Sequence, residues 1–293
     1  MAHDFAPARA GARSSLPNVI SSAAPIVHVG GMSSISRLLG LCLVLAAPAA
    51  AQQEIASLDL LPGWREDGTH VAGLKIDLEP GWKTYWRAPG EAGLPPRFDW
   101  SQSSNVASVA VRWPVPEIFG MGGLTSVGYS ETVTLPLVVT PRDPTRPAEL
   151  SLDLEMGVCE TICVPVSRHL STTLGAEPVR ADARIRAALA DRPLSEEEAQ
   201  VRHVTCQLLP GSGDPVLEAR IDMPPVGGDE YTVIELPDPS LWVSQARTSR
   251  EGDALVARAT LGAPRGVPVG IDREALRMTV IGDTGAVDIH GCD

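Results

Sequence analysis

Cys159 and Cys163 stand four positions apart in the run Leu150-Ser-Leu-Asp-Leu-Glu-Met-Gly-Val-Cys-Glu-Thr-Ile-Cys-Val-Pro-Val. Leu150, Leu152, Leu154, Met156 and Val158 alternate with Ser151, Asp153, Glu155, Gly157 and Cys159, the period of a strand with one apolar face. Cys163 opens a second strand-like run, and only Glu160, Thr161 and Ile162 lie between. The spacing predicts a hairpin in which the two cysteines face each other. Opposed residues of an antiparallel pair lie about 4.5–5.5 Å apart at Cα, within reach of a disulfide. Such a bond often holds a strained torsion, and strain raises the reduction potential. The spacing therefore fits thiol–disulfide exchange as well as a plain local staple.

Pro165 and the β-branched residues around Cys163 argue against a helix there, so no helix N-terminus lowers a thiol pKa at this site. Glu160 lies between the cysteines, and Arg168 is the nearest base in sequence. Nothing local favours a thiolate. The expectation is a pair that exchanges when a partner docks and otherwise stays quiet.

Other chemistry is sparse. Glu196, Glu197 and Glu198 read as a solvated stretch rather than a metal site, and no Ser or His has a nucleophile-elbow context. Trp82, Tyr85, Trp86 and Trp100 read as core and turn packing rather than a ligand box. Thiolates and thioethers suit Cu(I), which makes Cys159, Cys163, Met121, Met156 and His169 a candidate set. The alternation, however, turns Met156 away from Cys159. The main reading requires no metal and no cofactor.

The elements that would hold the pair are strands. Ala72 to Leu78, Val109 to Trp113 and Val133 to Val139 alternate, each followed by Gly or Pro punctuation. Pro136 inside the third run points to an edge strand or a bulge. Short strands at this spacing predict a β-sandwich over residues 52–175. Residues 176–200 differ: Ile185 and Leu189 lie one helical turn apart and Pro193 stops the run, which predicts a short helical connector. Strand patterns return over residues 201–293, as in Val216 to Ile221, Tyr231 to Leu236, Ala254 to Ala259 and Met278 to Ile281. The fold class is all-β, with two β-sandwich domains and a helical connector.

Residues 32–51 carry a short basic start, an apolar run and Ala49-Ala50-Ala51, the pattern of a secretory signal peptide cut near Gln52. Residues 1–31 show no hydrophobic period and read as a non-native extension ahead of Met32. Beyond the signal, about 240 residues remain, enough for two ordinary domains. The formal net charge is −12, and three arginines but one aspartate precede residue 52. The rest is therefore more acidic still, which makes nucleic acid and anionic membrane surfaces poor candidates as partners. No later segment is long and apolar enough for stable membrane insertion. Cys42 leaves with the signal, and the four cysteines that remain favour two disulfides in an exported chain. Three connectivities are possible; proximity favours Cys159–Cys163, which leaves Cys206–Cys292 as a structural staple. That second bond would close a loop of roughly 85 residues, worth about 4–5 kcal/mol by chain entropy.

The string Gly81-Trp-Lys-Thr-Tyr-Trp-Arg-Ala-Pro-Gly-Glu-Ala-Gly-Leu-Pro-Pro-Arg-Phe-Asp-Trp carries a resemblance. So, in the same order, do Trp113-Pro-Val-Pro-Glu-Ile-Phe, Val127-Gly-Tyr-Ser-Glu-Thr-Val-Thr-Leu-Pro and Val158-Cys-Glu-Thr-Ile-Cys-Val-Pro. Together they resemble the amino-terminal periplasmic domain of the thiol:disulfide interchange protein DsbD, in the branch that contains the copper-tolerance protein ScsB. The ending, Ile271-Asp-Arg-Glu-Ala-Leu-Arg-Met and His290-Gly-Cys, is similar to the second amino-terminal domain of that branch. The resemblance implies an immunoglobulin-like, periplasmic redox domain. It implies that Cys163 forms the mixed disulfide with partners and that Cys159 resolves it. It also implies a mobile cap loop over the pair, here Glu117, Ile118, Phe119 and Gly120, with Met121, Gly122 and Gly123 next. The implied partners are a membrane thiol reductase and periplasmic thioredoxin-like proteins. Such relatives continue into a membrane-spanning electron carrier and a thioredoxin-like domain. This sequence has neither and no Cys-x-x-Cys, so a stand-alone module that needs a separate membrane partner is expected. Its rival is a non-catalytic binding module with two structural disulfides.

Overall fold

A computed structural model describes residues 54–293 other than Ala92, Gly122, Gly123, Pro178, Gly266 and Pro268, with Met121 described by its backbone alone. The expected signal peptide and the extension before it lie outside the described residues. The regular structure of the described chain is strand, apart from one helix. In order it forms β1 (Ala56–Glu66), β2 (Thr69–Leu78), β3 (Lys83–Gly90), β4 (Arg97–Asp99), β5 (Val106–Val111), β6 (Glu117–Met121), β7 (Leu124–Ser130), β8 (Thr132–Pro141), β9 (Ala148–Cys159) and β10 (Cys163–Leu174). Helix α1 (Ala183–Ala190) follows. Then come β11 (His203–Leu209), β12 (Val216–Asp222), β13 (Tyr231–Glu235), β14 (Trp242–Val243), β15 (Arg247–Glu251), β16 (Ala254–Gly262), β17 (Arg277–Gly282) and β18 (Gly285–His290).

The first ten strands make two antiparallel sheets. One runs β1, β2, β8, β5; the other runs β10, β9, β3, β7, β6, with β4 added beside β9. The alternating residues of β2, β8 and β9 point between them, so Leu74, Ile76, Leu135, Leu137, Leu150, Leu152 and Leu154 form one buried core. The later strands repeat the arrangement, with β11, β12, β16 and β14 in one sheet, β15 paired to β16, and β13, β17 and β18 in another. Leu217, Ile221, Leu255, Leu261, Met278 and Ile289 fill their core. The described residues form one compact unit, and Ile281 and Ala286 of the later strands pack into the first core.

Pro136 sits neither at an edge nor at a bulge. It lies on β8, between β2 and β5, opposite Gly73 and with no break in the β2 register. Its carbonyl accepts from Arg112 N at 2.8 Å, so its missing donor faces the position just past the end of β5. The imino nitrogen therefore removes at most the last bond of that ladder.

Helix α1 is capped by Asp182, whose side chain accepts from Arg184 N at 2.8 Å; the Arg184 side chain helps hold that carboxyl at about 2. Its one buried residue, Ile185, sits on the outer face of the first sheet among Leu61, Trp64 and Val71. Gly73 makes that seat possible: a Cβ there would lie 2.9 Å from Ile185 Cγ1. After the helix, Asp191 O accepts from Val115 N, and Leu194 exchanges backbone hydrogen bonds with Ala286 and Asp288 near β18. The segment is thus fastened to the first sandwich by Ile185 and to the second by Leu194.

Candidate functional site

The β9–β10 register sets Cys163 opposite Cys159, and Glu160 N donates to Ile162 O at 3.1 Å to close the three-residue loop. The two cysteines are bonded, with Cα atoms 4.1 Å apart. They differ in access. Cys159 is fully buried, whereas Cys163 is exposed and its neighbour Ile162 is 67% exposed. Of the two residues, Cys163 is the one that solvent reaches.

The other side of Cys159 is built by β3. Lys83 pairs with Cys159 and Thr84 with Val158, and Thr84 Oγ1 donates to Gly157 O at 3.0 Å. Continuing that register brings Tyr85 over Gly157. A Cβ on Gly157 would come within 3.2 Å of both Tyr85 Cε2 and Leu94 Cβ, so any side chain there would press on the ring. Across it, the Tyr85 hydroxyl reaches both sulfurs, 3.0 Å from Cys159 Sγ and 3.4 Å from Cys163 Sγ. Burial raises the phenol pKa, so the hydroxyl keeps its proton and can donate it in a hydrogen bond to a sulfur anion. The Phe119 ring lies 6.4 Å from that of Tyr85, and Lys83 Nζ stands 5.4 Å above the Phe119 centroid.

The expected cap residues are found in a strand rather than a loop. Glu117, Ile118, Phe119 and Gly120 belong to β6, the last strand of its sheet, each paired to a residue of β7. Pairing with Val127 and Ser126 holds Ile118 and Phe119 in extended backbone, where the resemblance implies a mobile loop. Glu117 accepts from Ser130 Oγ at 2.7 Å, Ile118 is 38% exposed, and Phe119 is half-buried beside Tyr85. Gly122 and Gly123 at the tip lie outside the described residues.

The copper set does not assemble. Met156 is buried in the first core, on the face opposite Cys159. His169 lies six residues down β10 and holds Asp153 through Nδ1 at 2.7 Å. The Met121 side chain is outside the described residues. Arg168 also leaves the site and faces Glu54 at 3.7 Å. Cys206 and Cys292 form a second disulfide, beside which Asp293 exchanges backbone hydrogen bonds with Val204 and Cys206 of β11.

Sequence reasoning missed Lys83 and Tyr85. Trp82, Trp86 and Trp100 do pack on the first core, but Tyr85 touches sulfur instead. The available signal was Gly157, two residues before Cys159 on the same strand face, where an aromatic ring from a neighbouring strand can lie across the gap.

Residues 51–175 match the family described as thiol:disulfide interchange protein DsbD, N-terminal. No curated protein shows significant similarity to the chain. Among solved structures, the N-terminal periplasmic domain of ScsB from Proteus mirabilis is similar with a TM-score of 0.60 and 23% identity, over 80% of this chain and 90% of that one. The reduced DsbD N-terminal domain of Neisseria meningitidis matches more weakly, with a TM-score of 0.27 and 13% identity, over 43% of this chain and 90% of that one. The first likeness establishes the fold; the second adds nothing to it.

Proposed function

With a DsbD N-terminal-like domain over residues 51–175 as the premise, we propose that the chain is a periplasmic thiol–disulfide relay working through Cys159 and Cys163. It takes reducing equivalents from a membrane thiol reductase or a thioredoxin-like donor and passes them to exported proteins. Residues 52–175 are the redox domain, 176–200 the connector and 201–293 a second sandwich. The observation that carries the reading is the asymmetry of the pair: an exposed Cys163 bonded to a buried Cys159 beneath a hydroxyl donor.

The donor's thiolate attacks Cys163 Sγ. The Cys159–Cys163 bond breaks, and Cys159 leaves as a thiolate that accepts a hydrogen bond from the Tyr85 hydroxyl. A second donor thiolate then attacks the donor's own sulfur in the mixed disulfide and releases Cys163 as a thiolate. The donor ends as a disulfide and the pair has gained two electrons. In the outward half, Cys163 attacks a substrate disulfide and Cys159 resolves the mixed species, so the substrate is reduced and the pair re-forms.

The test is a Cys159→Ser variant mixed with an oxidised thioredoxin-like protein. Accumulation of a mixed disulfide through Cys163, seen by non-reducing electrophoresis and peptide mass, supports the relay. A reduction potential below about −300 mV for the wild-type pair, where structural disulfides sit, would end it.

A further inference from the structure

We infer that Arg87 is a positioning residue for the sulfur site, and that through it the second sandwich sets where the Tyr85 hydroxyl lies. This rests on the relay reading. Strand β3 is held unevenly. Its ladder to β7 pairs Lys83, Thr84 and Tyr85 with Ser130, Tyr129 and Gly128, then breaks and resumes only at Gly90 with Ser126. On the other side, β9 pairs with Lys83 and Thr84 alone. Neither ladder gives register partners to residues 86–89, immediately past the tyrosine that touches both sulfurs.

Arg87 supplies the missing anchor, and its partners come from the second sandwich. Its Nε donates to Glu235 Oε1 at 3.1 Å and its Nη2 to Glu235 Oε2 at 3.0 Å, a two-pronged pair from β3 to β13. Nη2 also donates to Thr279 Oγ1 on β17 at 3.2 Å and stands 3.7 Å from Asp288 Oδ1 on β18. Asp288 is itself gripped by Arg277 through two hydrogen bonds of 2.8 and 2.5 Å. On its inner side the Arg87 guanidinium lies 3.7 Å over the ring of Trp86, which is fully buried in the first core. All three strands of the second sandwich's smaller sheet thus hold one side chain two residues from Tyr85. A shift of that sheet moves Arg87, and the backbone between Arg87 and Tyr85 has no sheet partner to absorb the movement. The single fork to Glu235 makes lysine a poor replacement, since an ammonium cannot reproduce two parallel N–H donors.

The test is a double-mutant cycle on the full chain. Arg87→Lys and Glu235→Gln are each made with Tyr85 intact and in a Tyr85→Phe background, and circular dichroism selects variants that keep the wild-type fold. Two quantities are read: the rate of reduction of the Cys159–Cys163 bond by dithiothreitol, and the titration midpoint of thiolate absorbance in the reduced protein. With Tyr85 present, either substitution is expected to slow reduction about 2- to 10-fold, the worth of one hydrogen bond, and to raise the thiolate midpoint. In the Tyr85→Phe background neither should change either quantity. Equal effects in both backgrounds, no effect in either, or a Tyr85→Phe variant that reduces like the wild type would each overturn the inference. None of these outcomes touches the relay itself, which the trapping experiment and the potential of the wild-type pair decide separately.

Discussion

Gly157 and Tyr85 are packed so closely that a Cβ on Gly157 would stand only 3.2 Å from the tyrosine ring. The packing at a residue with no chemistry of its own therefore governs a residue that touches both sulfurs.

A Gly157→Ala substitution should push the Tyr85 ring off Cys159. The overpacking is expected to cost about 1–3 kcal/mol in a urea melt. Loss of the hydroxyl contact should slow dithiothreitol reduction of the pair about 2- to 10-fold. A folded variant with an unchanged rate would show that the hydroxyl contributes nothing to exchange.

Replacing Cys206 and Cys292 together by alanine should destabilise the chain by about 2–5 kcal/mol, since a native bond closing a long loop is lost. The potential of the Cys159–Cys163 pair should stay where it was. Equilibrium unfolding and a glutathione redox titration measure the two, and a large change in potential would contradict a purely structural role for the second disulfide.

His70 is buried on β2 and its ring nitrogen lies 2.5 Å from Pro62 O. Burial lowers its pKa, with Arg65 adding to the shift and the bond to Pro62 opposing it. The unfolded chain therefore binds a proton more readily than the folded one below the ordinary histidine value of about 6.5. Its stabilising contribution is complete above that pH and is lost as the pH falls from there through the lowered folded value. Melting temperatures measured from pH 7.5 downward should show this slope, and His70→Gln should flatten it. An identical slope in the variant would assign the effect elsewhere.

Ile185→Ala should leave a cavity between α1 and the first sheet and cost about 2–4 kcal/mol. Limited proteolysis should then cut within residues 176–193 sooner than in the wild type. Unchanged cleavage would mean that the helix is held by its backbone contacts alone.

The sequence made the hairpin legible because its information is local. The alternation from Leu150 to Val158 and the three residues between the cysteines fix the register that is found. The Ile185–Leu189 spacing and the stop at Pro193 likewise foretell α1. What escaped depends on which distant strands become neighbours. Pro136 looked like an edge residue because nothing near it reveals that β5 ends just where its missing donor would be needed. Tyr85 looked like core because its meeting with Cys159 spans 74 residues. Glu117 to Gly120 were expected in a loop because the resemblance implies one, and no local pattern reveals that β7 pairs with them. Arg87 carried no local signal, since its counter-charges lie in the last third of the chain.

The stretch after β10 has its two ends riveted to different bodies, Ile185 to one and Leu194 to the other. A strap fixed in that way leaves little rotational freedom across the waist of the molecule. The strap thus adds to the packing of Ile281 and Ala286 into the first core as a second tie between the two sandwiches.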